Sequence, residues 1–322
     1  MIKLITGPSD HGSRLDRLLR KRLPLMGLSG IYGLIRRGAV RVDGKKAKQG
    51  HRLQEGESLE IDVDESEFKT DSGPQNSLAG LVKTDFFRRN FAILHEDASI
   101  LVCNKPAGLV VHSGSGHSSH DNLVDLATAY VMSQKGGSAG TEVPVLMHRL
   151  DRDTSGVILL AKNTGVVRVL HDGLRSGRVA KLYVAVCHNR PPEFEGTVTL
   201  GMKRGGGRGG MKMSVADDGR ESSTTYRIIE HQNNMSRLEI LLHTGKTHQI
   251  RVHMAHLKAP LLGDDRYGDG RLDGMAFASA ALPRRLYLHA HKLSFPHPKT
   301  GKSMTVTAPV PKEFTLALEG GL

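Results

Sequence analysis

The run MHRLDRDTSGVILLAKN, residues 147–163, constrains this chain more than any other stretch. Its Thr-Ser-Gly turn and the apolar segment GVILLAK read as a loop feeding a buried strand. Directly before the apolar segment stand Arg149, Asp151, Arg152 and Asp153. Folding alone does not require so much charge at the mouth of a buried strand. Asp151 has an ordinary reading, in which it caps a turn or pairs with a neighbouring arginine. It has a second reading as a cleft carboxylate with a chemical role. No Ser or Cys nucleophile is adjacent, and the chain carries neither a G-x-x-x-x-G-K-[ST] loop nor Rossmann glycines, so no cofactor is expected.

The 322 residues are too many for one ordinary core and suit one small and one large domain. The net charge is +12, and its distribution says more than its size. Residues 14–52 hold twelve Lys/Arg against Asp16 and Asp43. The rest of the chain is close to neutral. A cationic segment with regular apolar positions points to a polyanion. The ordinary alternative is a solvated face. Leu15, Leu18 and Leu19 make one helical stripe, and Ile31, Leu34 and Ile35 a second, with Ser29 as N-cap and Gly38 as stop. AVRVDGKKA and GESLEIDV then read as strands, with a turn at Asp43-Gly44. This gives a domain at 1–63. Residues 64–90 lose periodicity and read as a linker, which leaves 91–322 as the large domain.

In the large domain FAILHEDASILVCNKP, GVILLAK, VAKLYVAVCH, RRLYLHAHKLSF and SMTVTAP read as strands, and STTYRIIEHQNNMSRLEILLH as a hairpin around Asn233-Asn234. NLVDLATAYVM, TGVVRVLHDGLRSG and residues 247–257 read as the three main helices, the last with Thr247 as N-cap and Pro260 beyond its end. Hairpins outnumber βαβ units, so the fold class is α+β with a mixed, mostly antiparallel sheet. The glycine-rich stretch 201–220 is either an RNA-touching loop or a plain hairpin tip. Cys103 and Cys187 lie in apolar runs and suit a reducing cytosol, and no signal peptide or membrane span is visible. His243, His248, His253 and His256 crowd one region without metal-ligand spacing, so no metal is expected and these read as surface or phosphate-facing rings. Arg251 is either an exposed arginine or a buried cation facing a cleft carboxylate.

HRLDRDTSGVILLAK closely resembles the signature of the pseudouridine synthases of the large-subunit ribosomal A-type family. NKPAGLVVHSGSG resembles that family's first motif, KLYVAV its tyrosine motif and TGKTHQIRVHMAHLKAPLLGDDRYG its C-terminal motif. GIYGLIRRGAVRVDGKKAK resembles the appended RNA-binding domain of the S-four type. The four-part match runs in order over nearly the whole chain.

The resemblance implies a pseudouridine synthase fold with a catalytic cleft, and an enzyme acting on uridines of 23S ribosomal RNA without cofactor or metal; a cytoplasmic location is expected from the cysteines, and a monomer is the default expectation. A related synthase acting on another RNA, such as transfer RNA, and a non-catalytic RNA-binding factor are the alternatives. By the resemblance, Asp151 attacks the nucleoside at C1′ or takes a C2′ proton, Arg251 ion-pairs with Asp151, and Tyr183 stacks on the base and removes the C5 proton. Arg149 enters the stack as uridine flips out, and Ile250 packs behind Tyr183. His148, beside Arg149, together with Arg36, Arg37, Arg41, Lys45 and Lys46 of the basic domain, is expected to meet RNA. Ala107 stands where serine is common, Lys246 where arginine is frequent, and Lys258-Ala259 where Gly-His is common. The last change removes an expected helix-ending glycine.

Overall fold

A computed structural model describes the chain except residues 8–9, 24–25, 27, 64–77, 79, 113–121, 135–142, 206–211, 280 and 320–322. Two compact units form, one within residues 1–78 and one within 79–322.

The first unit comprises β1 (Ile2–Ile5), α1 (Leu15–Arg22), α2 (Leu28–Arg37), β2 (Val40–Val42), β3 (Lys45–Lys46) and β4 (Ser58–Ile61). Its sheet order is β1-β4-β2-β3. The two predicted leucine and isoleucine stripes pack on Val40, Leu59 and Ile61. Each such side chain contributes roughly 1.5–3 kcal/mol when fully buried. Gly38 ends α2 with φ +80°, and Asp43 and Gly44 turn the β2–β3 hairpin with φ 49° and 74°. One reading changes, and one strand went unread. Ser29 lies inside α2, which begins at Leu28, so it is not the N-cap. β1 pairs with β4 from Ile2↔Ile61 to Ile5↔Ser58; four residues were too short to carry a readable period.

The second unit opens with α3 (Asp85–Asn90), β5 (Ala92–Glu96), β6 (Ile100–Lys105) and α4 (Leu123–Gln134). β7 (Val145–Leu146), β8 (Ser155–Ala161), α5 (Thr164–Arg175), β9 (Ala180–His188), β10 (Glu195–Arg204) and β11 (Met213–Val215) follow. The chain continues through β12 (Arg220–Gln232), β13 (Met235–Leu242), α6 (Gln249–His256), α7 (Gly270–Ser279), β14 (Leu288–Pro296), β15 (Ser303–Thr307) and α8 (Glu313–Glu319). Helix α3 corrects part of the expected linker. Thr84 caps it by accepting Phe87 N–H at 3.1 Å, and Phe86 and Phe87 pack against the core, which gives an otherwise polar segment a reason to fold. Residues 64–77 of that expectation lie outside the described residues.

One mixed sheet runs β11-β10-β12-β13-β9-β14-β8-β6-β5, with β15 added to β14 and β7 to β8. The α+β expectation therefore holds. All seven residues of β8 are buried. Ile158 and Leu160 enter the core shared with α4 and α6, whereas Val157, Leu159 and Ala161 enter the core shared with α5. Helices on both faces explain why this strand is apolar from Val157 to Ala161. Stretch 201–220 contributes the β10–β11 hairpin, paired from Met202↔Val215 to Arg204↔Met213, while the glycine-rich tip at 206–211 lies outside the described residues.

β14 and β8 meet in parallel over only Ser155↔His289 and Gly156↔Ala290. Gly156 has φ +115°, and a Cβ there would sit 2.2 Å from the Ala290 carbonyl oxygen. Gly156→Ala is expected to destabilise the second unit by about 3 kcal/mol through strain and backbone clash. Thermal unfolding should show a midpoint roughly 5–10 °C lower; an unchanged midpoint would contradict this account of the seam.

Candidate active site

The charged loop 147–154 ends where β8 begins, and a buried lysine holds it. Lys105 Nζ donates to the carbonyls of Pro106, Leu109 and Arg152, each at 2.8 Å. Gly108 N–H joins the same Arg152 carbonyl at 3.0 Å. Burial pulls Lys105 down to about 7, opposed by the charges of Asp153 and Asp151. Three carbonyl acceptors match the three N–H donors of an ammonium.

The two arginines flanking Asp151 in sequence are not its close partners. Arg152 Nε pairs with Asp153 at 3.0 Å, and Arg149 is exposed at the cleft. The neighbours of Asp151 come from the segment after β13. Arg251 Nη1 stands 3.7 Å and His248 Nε2 3.8 Å from its Oδ2. Arg251 is 4 % exposed, so the buried-cation reading is the one observed. Its nearest partner is Asp264, reached by Nε at 2.7 Å and Nη2 at 2.5 Å; Asp265 accepts from Nη2 at 3.0 Å. Burial pushes Asp264 up, but the bonds and charge of Arg251 outweigh it and hold the carboxyl below its usual range. Burial works against the charge on Arg251 as well, yet Asp264, Asp151 and Asp265 together keep its pKa above normal.

Asp151, Tyr183, Arg251, Arg149, His148 and Ile250 line one cleft of about 220 Å³. Lys181 and His248 share its wall. The Tyr183 phenol is buried, and that burial, with the charge of Asp151, raises its pKa. Lys181 is lowered by burial. A wider space of about 810 Å³ adds Arg152, Arg204, Arg220 and Arg266 around Asp151. Arg36, Arg37, Arg41, Lys45 and Lys46 belong to the first unit and are all exposed; Arg41 lies opposite Lys46 across β2–β3.

Several local expectations change. Helix α6 starts at Gln249, with His248 rather than Thr247 at the N-cap position. The Gln249 side chain instead ties down the turn before the helix: Oε1 accepts from Lys246 N–H and the Thr244 hydroxyl, and Nε2 donates to Ser223 O. His253 is not on the surface. It is fully buried, its Nε2 lies 2.9 Å from Ser222 Oγ, and burial pushes it down to about 4. His148 accepts the Leu159 N–H at 3.2 Å; desolvation first, then Lys181, brings it to about 4, so its ring braces β8 as a neutral acceptor. Lys258 takes the left-handed conformation (φ +60°) in place of the missing glycine, and Lys258 and Ala259 N–H close on Ala255 and Met254 carbonyls.

A family model described as RNA pseudouridylate synthase matches residues 99–256. Ribosomal large subunit pseudouridine synthase C of Salmonella typhi is 33 % identical over 99 % of this chain and 96 % of its own length. The protein of that name from Escherichia coli (strain K12) is 32 % identical over the same shares. Among solved structures, human RNA Pseudouridylate Synthase Domain Containing 4 matches with a TM-score of 0.59 at 25 % identity, over 76 % of this chain and 95 % of that one. The chain belongs to the RNA pseudouridine synthase family. It is therefore an isomerase of RNA uridines.

Sequence reasoning about this synthase missed Lys105 and Asp264, and it read His248, which stands beside Asp151, only as a surface or phosphate-facing ring. A lysine inside the apolar run ILVCNKP was a usable signal, since such a side chain needs buried acceptors. The paired Asp264-Asp265 stands within the C-terminal motif, but its link to Arg251 depends on a turn that places it there.

His253 and His289 are buried, and burial pushes both down to about 4. Between 6.5 and 4 the unfolded chain binds protons at these rings that the native chain refuses. The stabilisation is complete above 6.5 and is lost as pH falls towards 4. Thermal unfolding should give a lower midpoint at about pH 5 than at about pH 7.5; equal midpoints would show that the folded rings accept protons freely.

Proposed function

We propose that this chain converts specific uridines of large-subunit (23S) ribosomal RNA to pseudouridine, with Asp151 as the catalytic carboxylate. The observation that carries the chemistry is the approach of Asp151 to a buried guanidinium, Arg251, in a cleft that Tyr183 also lines. The ribosomal target is supported by relatives named ribosomal large subunit pseudouridine synthase C that match along nearly the whole chain.

Uracil must leave C1′, turn, and rejoin through C5 while trapped. Asp151 either attacks C1′ or removes a C2′ proton, and both routes need an ionised carboxylate. At an effective dielectric of about 20, unit charges about 4 Å apart interact by about 4 kcal/mol, so the guanidinium of Arg251 is a favourable neighbour for a carboxylate at Asp151. Flipping the nucleoside costs a few kcal/mol. Arg149, exposed at the cleft, can stack in the vacated space and bond phosphate with the same planar group. Tyr183 lines the uracil site. A phenol held protonated takes the C5 proton only by giving up its own, and Asp151 is the carboxylate whose charge reaches it. The exchange is internal to one nucleotide and is redox-neutral, so the reaction itself requires no ATP or redox cofactor.

Residues 1–63 act as a separate S-four-type domain supplying phosphate affinity, and 91–322 supply chemistry and site choice. The enzyme works as a cytoplasmic monomer. Among the described residues no helix is long and apolar enough to cross a membrane.

Ribosomal RNA tritiated at uridine C5 should release label with the wild type. Asp151→Asn should release none while still binding RNA. Release by Asp151→Asn would overturn the role of the carboxylate, and absence of label loss from ribosomal RNA with the wild type would overturn the target. Pseudouridine mapping of ribosomal RNA with and without the gene identifies the sites. Replacing Arg36, Arg37, Arg41, Lys45 and Lys46 with Gln should flatten the log–log salt dependence of RNA binding, by roughly 0.7–0.9 for each phosphate no longer neutralised. An unchanged slope would remove the basic surface from the interface.

A further inference from the structure

Asp151 has two near neighbours, and Arg251 is one of them. That guanidinium directs Nε and Nη2 at Asp264 and Asp265 and offers Asp151 its remaining Nη1. The other neighbour is His248. Its backbone is left-handed, φ 54° and ψ 20°, in a residue that pays a steric cost there. Its ring edge, Nε2, stands 3.8 Å from Asp151 Oδ2. The opposite ring nitrogen, Nδ1, is 2.9 Å from the Tyr267 hydroxyl.

Tyr267 is itself fixed. Its oxygen accepts the Met213 N–H at 2.8 Å, and the Arg251 guanidinium and Lys212 ammonium lie 5.3 and 5.5 Å from its ring centre. With that lone pair used, the Tyr267 proton can point at Nδ1, which makes Nδ1 the acceptor and puts the ring hydrogen on Nε2. Asp151 favours the same tautomer, because the alternative would set a nitrogen lone pair against an anion. The charged and titratable groups around the imidazole are Asp151, Arg251, Arg266, Asp264 and Tyr267. Burial is the largest influence on the ring and favours its neutral form.

We infer that His248 is a positioning residue for Asp151: its Nε2–H, oriented by the Tyr267 hydroxyl and the Met213 N–H of β11, anchors Oδ2 beside the Arg251 guanidinium and so leaves Oδ1 for the bound nucleoside. This rests on the reading of Asp151 as the catalytic carboxylate. The present 3.8 Å exceeds a hydrogen bond, and an approach of about 1 Å on binding RNA would complete one. Arg204, Met213 and Arg220 line the same wide space as Asp151 and His248. RNA lying there therefore touches the strand that fixes Tyr267, which links occupancy of the cleft to the aim of the carboxylate.

The test is single-turnover tritium release from C5-labelled ribosomal RNA, with RNA affinity and thermal midpoint measured in parallel. His248→Ala should lower the rate roughly 10–100-fold with RNA affinity nearly unchanged. His248→Gln, whose amide N–H reaches about as far as Nε2, should recover most of that loss. Tyr267→Phe should lower the rate less, and the His248→Ala/Tyr267→Phe double variant should be no slower than His248→Ala alone. His248→Gln as slow as His248→Ala, or additive losses in the double variant, would overturn the inference. If His248→Ala does not fold, the rates of His248→Gln and Tyr267→Phe still decide it: the inference needs the first near wild type and the second below it. Asp151→Asn runs beside them. Activity in that variant would remove the underlying reading of Asp151, whereas an inactive Asp151→Asn with a fully active His248→Ala would remove only the role of His248.

Discussion

A guanidinium withdrawn from water among three carboxylates governs this cleft. Asp264 offsets the cost of burying the charge of Arg251, and Arg251 in turn holds the Asp264 carboxyl below its usual range. Their two-pronged pairing occupies one edge of the guanidinium and fixes its plane. The remaining Nη1 then has a defined direction, towards Asp151. Backbone N–H groups of Arg266 and Tyr267 hold Asp264 in turn, so the DDRYG turn after α6 sets the position of the arginine. A carboxylate 20 % exposed at the side chain is thereby placed between a cation and the open cleft.

The sheet supplies the rigidity that such an arrangement needs. β8 is packed on both faces, and the loop before it is tied by Lys105 to the turn after β6. Few backbone groups of that loop can shift without breaking a buried bond. Arg149 remains exposed within this restrained loop.

Much of this was readable from residue order. The apolar runs became strands, the Asp43-Gly44 and Asn233-Asn234 pairs became hairpin turns with positive φ, and Asp151, Tyr183 and Arg251 came to one cleft. What escaped reading depended on partners distant in sequence. His253 looks like a surface residue until Ser222, on β12, is seen to meet it. Thr247 looks like a helix cap until the left-handed turn at His248 starts the helix one residue later. The charge around Asp151 suggested its sequence neighbours as partners, but Arg152 closes on Asp153 and the true neighbours arrive from α6 and the residue before it. Pattern reports which residues need burial or a counter-charge; it does not report who provides them.

The narrow parallel seam between β8 and β14 has a further consequence. It is the only parallel pairing among the described strands, and it splits the sheet into two antiparallel halves. Asp151 precedes a strand of one half. Tyr183, His248 and Arg251 are carried on or just beyond strands of the other. These cleft-lining residues thus face each other across a joint two residues wide, and the width of the cleft is set there. Shear at that joint would alter every distance between the carboxylate and its partners at once, while leaving each half internally intact.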